Sequence, residues 1–175
     1  MTTIDPSARI ETQRLTLRQP RRSDAPRIAE LADDIDIARM TTRLPHPYSR
    51  EDAETFLAHL ERSDAETVFI IDCPPDGPIG MISFSPVDGL GPEVGYWLGR
   101  PYWGRGLATE AARAALAWAR DSWRRRVVVS GHFADNPASG RVLVKAGFLY
   151  TGQIQPRHSL GRGETAPTRM MVWLA

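Results

Sequence analysis

The 175-residue sequence predicts an α/β (α+β) fold, with helices laid against one mixed central sheet. Three observations carry this. Segments of strand periodicity and of helical periodicity follow one another along the chain. A glycine-rich turn links an apolar strand directly to a long alanine-rich helix. No repeat, low-complexity tract or linker splits the chain, so residues 1–175 read as a single domain, with 1–10 as a candidate flexible arm.

Each element has a local cause. Residues 14–18, Arg-Leu-Thr-Leu-Arg, alternate polar and apolar as a half-buried strand does. Ser23-Asp24 then supplies a helix start, followed by Ile28, Leu31, Ile35 and Ile37 at roughly helical spacing. A proline-broken loop, Leu44-Pro45-His46-Pro47-Tyr48, leads to Ser49 and Asp52, the outline of a capping box. Phe56, Leu57 and Leu60 give that second helix its apolar stripe. Strands over 67–72 and 79–85 flank the turn sequence Pro-Pro-Asp-Gly-Pro, and a third covers 93–98. The longest helix spans about 104–123. A β-branched run places a strand at 126–131, a helix follows over 136–146 with Gly147 as its C-terminal cap, and strands at 148–153 and 169–174 end the chain. The count is seven strands and four helices.

Bulk properties narrow the function classes. Twenty-two basic residues against twenty-one acidic ones leave a formal charge of +1, which gives no general attraction to nucleic acid or membrane. No apolar run approaches the roughly 20 residues a spanning helix needs, and the N-terminus lacks the pattern of a signal peptide. The single cysteine, Cys73, cannot form an intrachain disulfide and suits a reducing, cytoplasmic setting. It closes an apolar run beside Pro74-Pro75 and reads as a small strand residue rather than a nucleophile. His46, His59, His132 and His158 show no ligand spacing, so no metal is implied.

The informative segment runs from Gly95 to Ala111, where a strand enters a turn holding Gly104 and Gly106 and a helix begins at once. The first amides of a helix lack internal partners, and the helix dipole concentrates partial positive charge there. Glycines let main chain approach an anion closely. The result is a phosphate cradle, with Arg100 and Arg105 as added positive charge. The spacing fits neither the nucleotide P-loop nor the dinucleotide fingerprint. A turn that uses glycine only for tightness is the competing reading.

This segment resembles the acetyl-CoA-binding motif of the GNAT superfamily, Gln/Arg-x-x-Gly-x-Gly/Ala. Trp103 stands at the Gln/Arg position, Gly106 at the glycine and Ala108 at the Gly/Ala. The run Tyr-Trp-Gly-x-Gly-x-Ala-Thr-Glu-Ala is similar to the branch of ribosomal-protein-alanine N-acetyltransferases. Residues 11–18, 44–49 and 93–98, and the series Asn136-x-x-Ser139 to Lys145-Ala146-Gly147-Phe148, resemble further stretches of that branch in matching order.

The resemblance implies a mostly antiparallel sheet of six to seven strands, splayed between the fourth strand (93–98) and the fifth (126–131), with the cofactor's pantetheine arm between them. It implies acetyl-CoA as cosubstrate and direct transfer to a primary amine, either a protein N-terminus or a small molecule. Trp103, Gly104, Arg105, Gly106, Leu107, Ala108 and Thr109 are carried over as the pyrophosphate site, main-chain groups around Tyr96, Trp97 and Leu98 as partners of the arm, and Asn136 as its side-chain ligand. Asn136 could instead cap the helix it precedes. Glu93 is read as the base, or as a solvated residue after Gly91-Pro92; Ser139 as proton donor to the leaving thiolate, or as a helix-packing residue. Many relatives carry a tyrosine donor where this chain has Leu143. His46 and Tyr48 fall in the loop that shapes the acceptor pocket, and His132 is a second candidate base. Arg141 and Lys145, four apart on one helix face, either meet the nucleotide's 3′-phosphate or form a solvated basic face. The expected partners are the amine acceptor and, at most, a second copy of the chain, monomer and homodimer both being compatible. A non-catalytic acyl-CoA-binding module is the alternative function.

Overall fold

A computed structural model describes residues 8–89 and 91–175. One eight-stranded sheet runs in the order β1-β2-β3-β4-β5-β6-β8-β7. Its strands are β1 (Ile10–Glu11), β2 (Thr16–Arg18), β3 (Thr67–Cys73), β4 (Gly77–Ser85), β5 (Glu93–Leu98), β6 (Val127–Phe133), β7 (Leu149–Ser159) and β8 (Glu164–Leu174). Helices α1 (Ala25–Ala32), α2 (Ile35–Ala38) and α3 (Arg50–Leu60) precede β3, α4 (Leu107–Asp121) links β5 to β6, and α5 (Pro137–Ala146) follows β6. Every neighbouring pair is antiparallel except β5 and β6.

Two apolar layers hold the sheet. On one face α4 and α5, the latter through Leu143, cover Phe69, Phe84, Val128 and Phe148, with Trp118 edge-on to Phe69 at 5.1 Å between ring centres. On the other, α1 and α3 close over Val68, Ile70 and Met81. Ser49 and Asp52 form the capping box of α3, and Cys73 is buried in the core as a strand residue. Arg18 on β2 is buried with two carboxylates, donating to Asp24 at 2.8 and 2.9 Å and to Asp72 at 2.6 Å.

The differences from the sequence reading have local causes. The expected first helix is two. Asp33 leaves helical geometry, and Asp34 restarts the chain by accepting from the Asp36 amide. The helix expected from residue 104 begins at Leu107, because Gly104 and Gly106 sit at φ +72° and +74°. An eighth strand, β1, arises where Ile10 pairs with Leu17, inside the stretch read as an arm; residues 1–7 lie outside those described. The last two strands reach 11 residues each, past the 148–153 and 169–174 read from sequence, and Pro156 faces Pro167 between them.

Beyond Phe133 this long β7–β8 hairpin leans over the α1–α3 face. Ser159 Oγ donates to the Thr41 carbonyl at 2.7 Å, and the Leu160 amide to that of Thr42 at 3.1 Å. Gly161 lies so close that a Cβ there would stand 2.4 Å from the Ala38 carbonyl carbon. Gly161→Ala is therefore expected to lift the hairpin tip. Urea unfolding should show a loss of about 1–3 kcal/mol, the usual cost of overpacking, with faster exchange of the Leu160 amide.

Candidate active site

The β5–β6 pair makes contact and then separates. Glu93 registers with Val129, and the Val129 amide donates to Pro92 at 2.9 Å. At the next step Ser130 Oγ, a buried hydroxyl, donates to the Val94 carbonyl at 2.9 Å, so a side chain occupies the acceptor that a continuing ladder would use. Beyond that point no further β5–β6 register exists among the described residues. The Gly99 amide donates to Ile79 on β4. By the two-residue alternation of an antiparallel ladder, Gly95 and Trp97 also bond toward β4, and Tyr96 and Leu98 turn their main-chain groups toward the gap. This separates the three residues grouped from sequence. Trp97 does not face the gap with its main chain, and the Leu98 carbonyl already accepts from Trp103 Nε1 at 2.7 Å.

At the top of the gap lies the glycine turn. Gly106 is the N-cap of α4 in left-handed geometry, with no side chain capping the helix, and the first internal bond is Glu110 to Gly106. The amides of Leu107, Ala108 and Thr109 are thus free of helical partners. A Cβ on Gly104 would touch nothing within 4 Å, and one on Gly106 only Arg14 Nη2, at 3.6 Å. Open space in front of unpartnered donors suits a diphosphate, and the unladdered gap below suits an extended amide-bearing arm.

Arg14 is a neighbour that sequence reading missed. Its Nη1 donates to the Arg105 carbonyl at 2.9 Å and its Nε to Glu110 at 2.7 Å. Burial works to raise the Glu110 pKa, but bonds from Thr12 and from the Arg14 amide and guanidinium outweigh it and hold the carboxyl below its ordinary value. Arg100, expected as mobile charge beside the cradle, is instead clamped by Asp34 and Asp36 at 2.8 and 2.5 Å.

On the α5 side, Asn136 is the N-cap of the helix, its Oδ1 accepting from the Ser139 amide at 3.2 Å. The capping role thus claims the oxygen and leaves the amide nitrogen as a donor. Ser139 meets β5 across the gap, with Tyr96 Oη 2.8 Å from its Oγ and 3.1 Å from its carbonyl oxygen. Burial pushes the Tyr96 phenol up to about 12. Leu143 is fully buried core. His132 turns away from the gap, with Nδ1 on the Phe133 carbonyl and Nε2 on Tyr150 Oη at 3.0 Å. It lines, with Arg141, Lys145 and Arg169, a cavity of about 400 Å³ on the outer flank of α5.

The opposite opening faces α2 and the hairpin. Glu93 is ion-paired with Arg157 of β7. Asp135, just past β6, accepts from Arg162 at 2.7 and 2.8 Å, lies 3.9 Å from Arg39, and is held below the ordinary carboxylate range chiefly by Arg162. Asp34, Arg100, Asp36, Arg39, Asp135 and Arg162 form a continuous chain of ion pairs from the end of β5, across α2, to the end of β6. His46 is exposed and 3.2 Å from Asp33, whereas Tyr48 is 6% exposed and packs among α1 and α3. Tyr48 therefore serves the core, not a pocket wall. Arg157, Arg162, Asp135 and Ser130 carried no local signal, because each meets its partner through the fold.

Residues 14–149 match the family described as acetyltransferase (GNAT) domain. Ribosomal-protein-serine acetyltransferase of Escherichia coli (strain K12) is 35% identical over 80 residues, 44% of this chain and 44% of that protein, so the match spans under half the relative's length. The ribosomal-protein-S5-alanine acetyltransferase structure from Vibrio fischeri superimposes with a TM-score of 0.81 at 19% identity, covering 96% of this chain and 97% of that one. Spermidine N-acetyltransferase from Vibrio cholerae, in complex with CoA and spermine, gives 0.78 at 19% identity over 93% and 96%. With the mixed sheet, the parted parallel pair and the glycine turn in place, the chain belongs to the GNAT acetyltransferase domain family.

Proposed function

We propose that the chain transfers an acetyl group from acetyl-CoA to a primary amine by direct attack in a ternary complex. One observation carries this reading. The parting of β5 from β6 directly after Glu93–Val129 leaves Tyr96's main chain facing a gap that ends at the unpartnered amides of α4. The cofactor supplies an acyl group activated as a thioester. The amides of 107–109 hold its phosphates, with Gly104 and Gly106 giving room; the Tyr96 main chain and the Asn136 amide nitrogen align its arm. Ser139 Oγ, beside Tyr96, is the proton donor on the leaving side. The acceptor enters from the α2–hairpin side, where Glu93 is the candidate base and must exchange Arg157 for the amine's proton.

The relatives named above act, by their names, on ribosomal proteins and spermidine, so both an N-terminal amine and a small amine are open as acceptors. Near-zero net charge disfavours docking on RNA. The Glu93–Arg157 pair favours one other reading, an acyl-CoA-binding module without turnover. A screen of N-terminal peptides and small amines with acetyl-CoA, read by free thiol, separates the two. Amine-dependent thiol release is expected. Tight CoA binding with no release for any acceptor would establish the module.

A further inference from the structure

We propose that Tyr96 is a positioning residue whose hydroxyl turns the Ser139 proton toward the departing sulfur and then replaces it. The inference rests on the reading of Ser139 as donor given above. It starts from a count of protons. Tyr96 Oη carries one hydrogen and has two oxygen neighbours, the Ser139 carbonyl at 3.1 Å and Ser139 Oγ at 2.8 Å. If the hydrogen goes to the carbonyl, the short contact to Oγ requires Ser139 to donate back to Tyr96, and its proton is lost to the cleft. If it goes to Oγ, the Ser139 hydrogen is free to point into the gap. The direction of one phenolic O–H thus sets whether Ser139 can donate.

Acidity runs the same way. An aliphatic hydroxyl is a weaker acid than a phenol, and Tyr96, though pushed up to about 12 by burial, remains the stronger acid of the two. In the transfer step the amine nitrogen bonds to the acyl carbon, the carbon–sulfur bond breaks, and its electron pair stays on sulfur. Ser139 Oγ gives its proton to sulfur and takes that of Tyr96 Oη. Glu93 takes the proton that the ammonium must lose before it attacks; the one shed by the nitrogen as the amide forms returns to Tyr96 through water, so no charge accumulates. Leu143, at the position where many relatives carry a tyrosine, is fully buried and carries no hydroxyl for this part. Position 96 can play the part because it lies on the face of β5 turned to α5, one residue from the Trp97 that faces the other layer.

The test is a cycle of Tyr96→Phe, Ser139→Ala and the double variant, with one measurement made on the ligand-free protein. Tyr96→Phe should lower kcat roughly tenfold, the size of one lost hydrogen bond of about 1.4 kcal/mol, with KM for acetyl-CoA within about twofold. The double variant should be no slower than Ser139→Ala, because Tyr96 acts only through Ser139. With 3-fluorotyrosine at position 96, the ¹⁹F resonance and its alkaline midpoint should both move on Ser139→Ala. Wild-type turnover in Tyr96→Phe, additive losses in the double variant, or an unmoved resonance would each overturn the inference. Full activity in Ser139→Ala would instead remove the donor reading beneath it.

Discussion

Gly106→Glu is expected to abolish the CoA binding proposed above, with titration calorimetry showing a fall in affinity of at least about a hundredfold. Two effects add. Gly106 sits at φ +74°, where a side chain costs about 1–2 kcal/mol and drives the free turn to relax; restoring the bound geometry against that relaxation takes close to tenfold from the affinity. The carboxylate then projects into the open space before the Leu107, Ala108 and Thr109 amides, where a diphosphate needs to be, and repels it. Gly106→Ala isolates the first effect, since its Cβ would meet only Arg14 Nη2 at 3.6 Å. The alanine variant is expected to lose about tenfold and to keep its thermal stability within a few degrees. Undiminished affinity in the glutamate variant would disprove the cradle.

Arg18→Met is expected to cost the fold about 3–5 kcal/mol, the loss typical when one partner of a buried ion pair is removed. The methionine fills similar volume, so the effect is electrostatic. Asp24, 5% exposed, and Asp72 on β3 would each keep a carboxylate whose guanidinium has gone. For a chain of this length the melting temperature should fall by about 6–20 °C. Restoring neutrality with Asp24→Asn in the same chain should recover part of the loss. A decrease below about 1 kcal/mol would mean that water reaches the pair.

What could be read from sequence was whatever is encoded within a few residues. The capping box of α3, the glycine cap of α5 and the strand–turn–helix around Gly106 each arise from neighbours in the chain. What was misread depends on distant partners. Glu110 and Thr12 bond at 2.7 Å across 98 positions, so the acid in Ala108-Thr109-Glu110 proves to be the anchor of Thr12 and Arg14 in the turn between β1 and β2. Tyr48 falls in a loop by pattern yet is buried, because α1 and α3 meet over it. The last strands, read as 148–153 and 169–174, run on through two prolines, Pro156 and Pro167. In the fold they face one another between paired stretches of β7 and β8. Asn136 showed both of its possible roles in sequence, and only the 3.2 Å contact to the Ser139 amide established the cap.

The single rung between β5 and β6 divides the sheet into two wings, one of five strands and one of three. Main-chain bonding does little to fix the angle between them; α4 below and the hairpin tip above act as stays. Thermal breathing should concentrate along that seam, and anything that zips it shut stiffens both wings together. The resistance of such a chain to unfolding is then partly a property of its surroundings, rising with the logarithm of whatever occupies the seam.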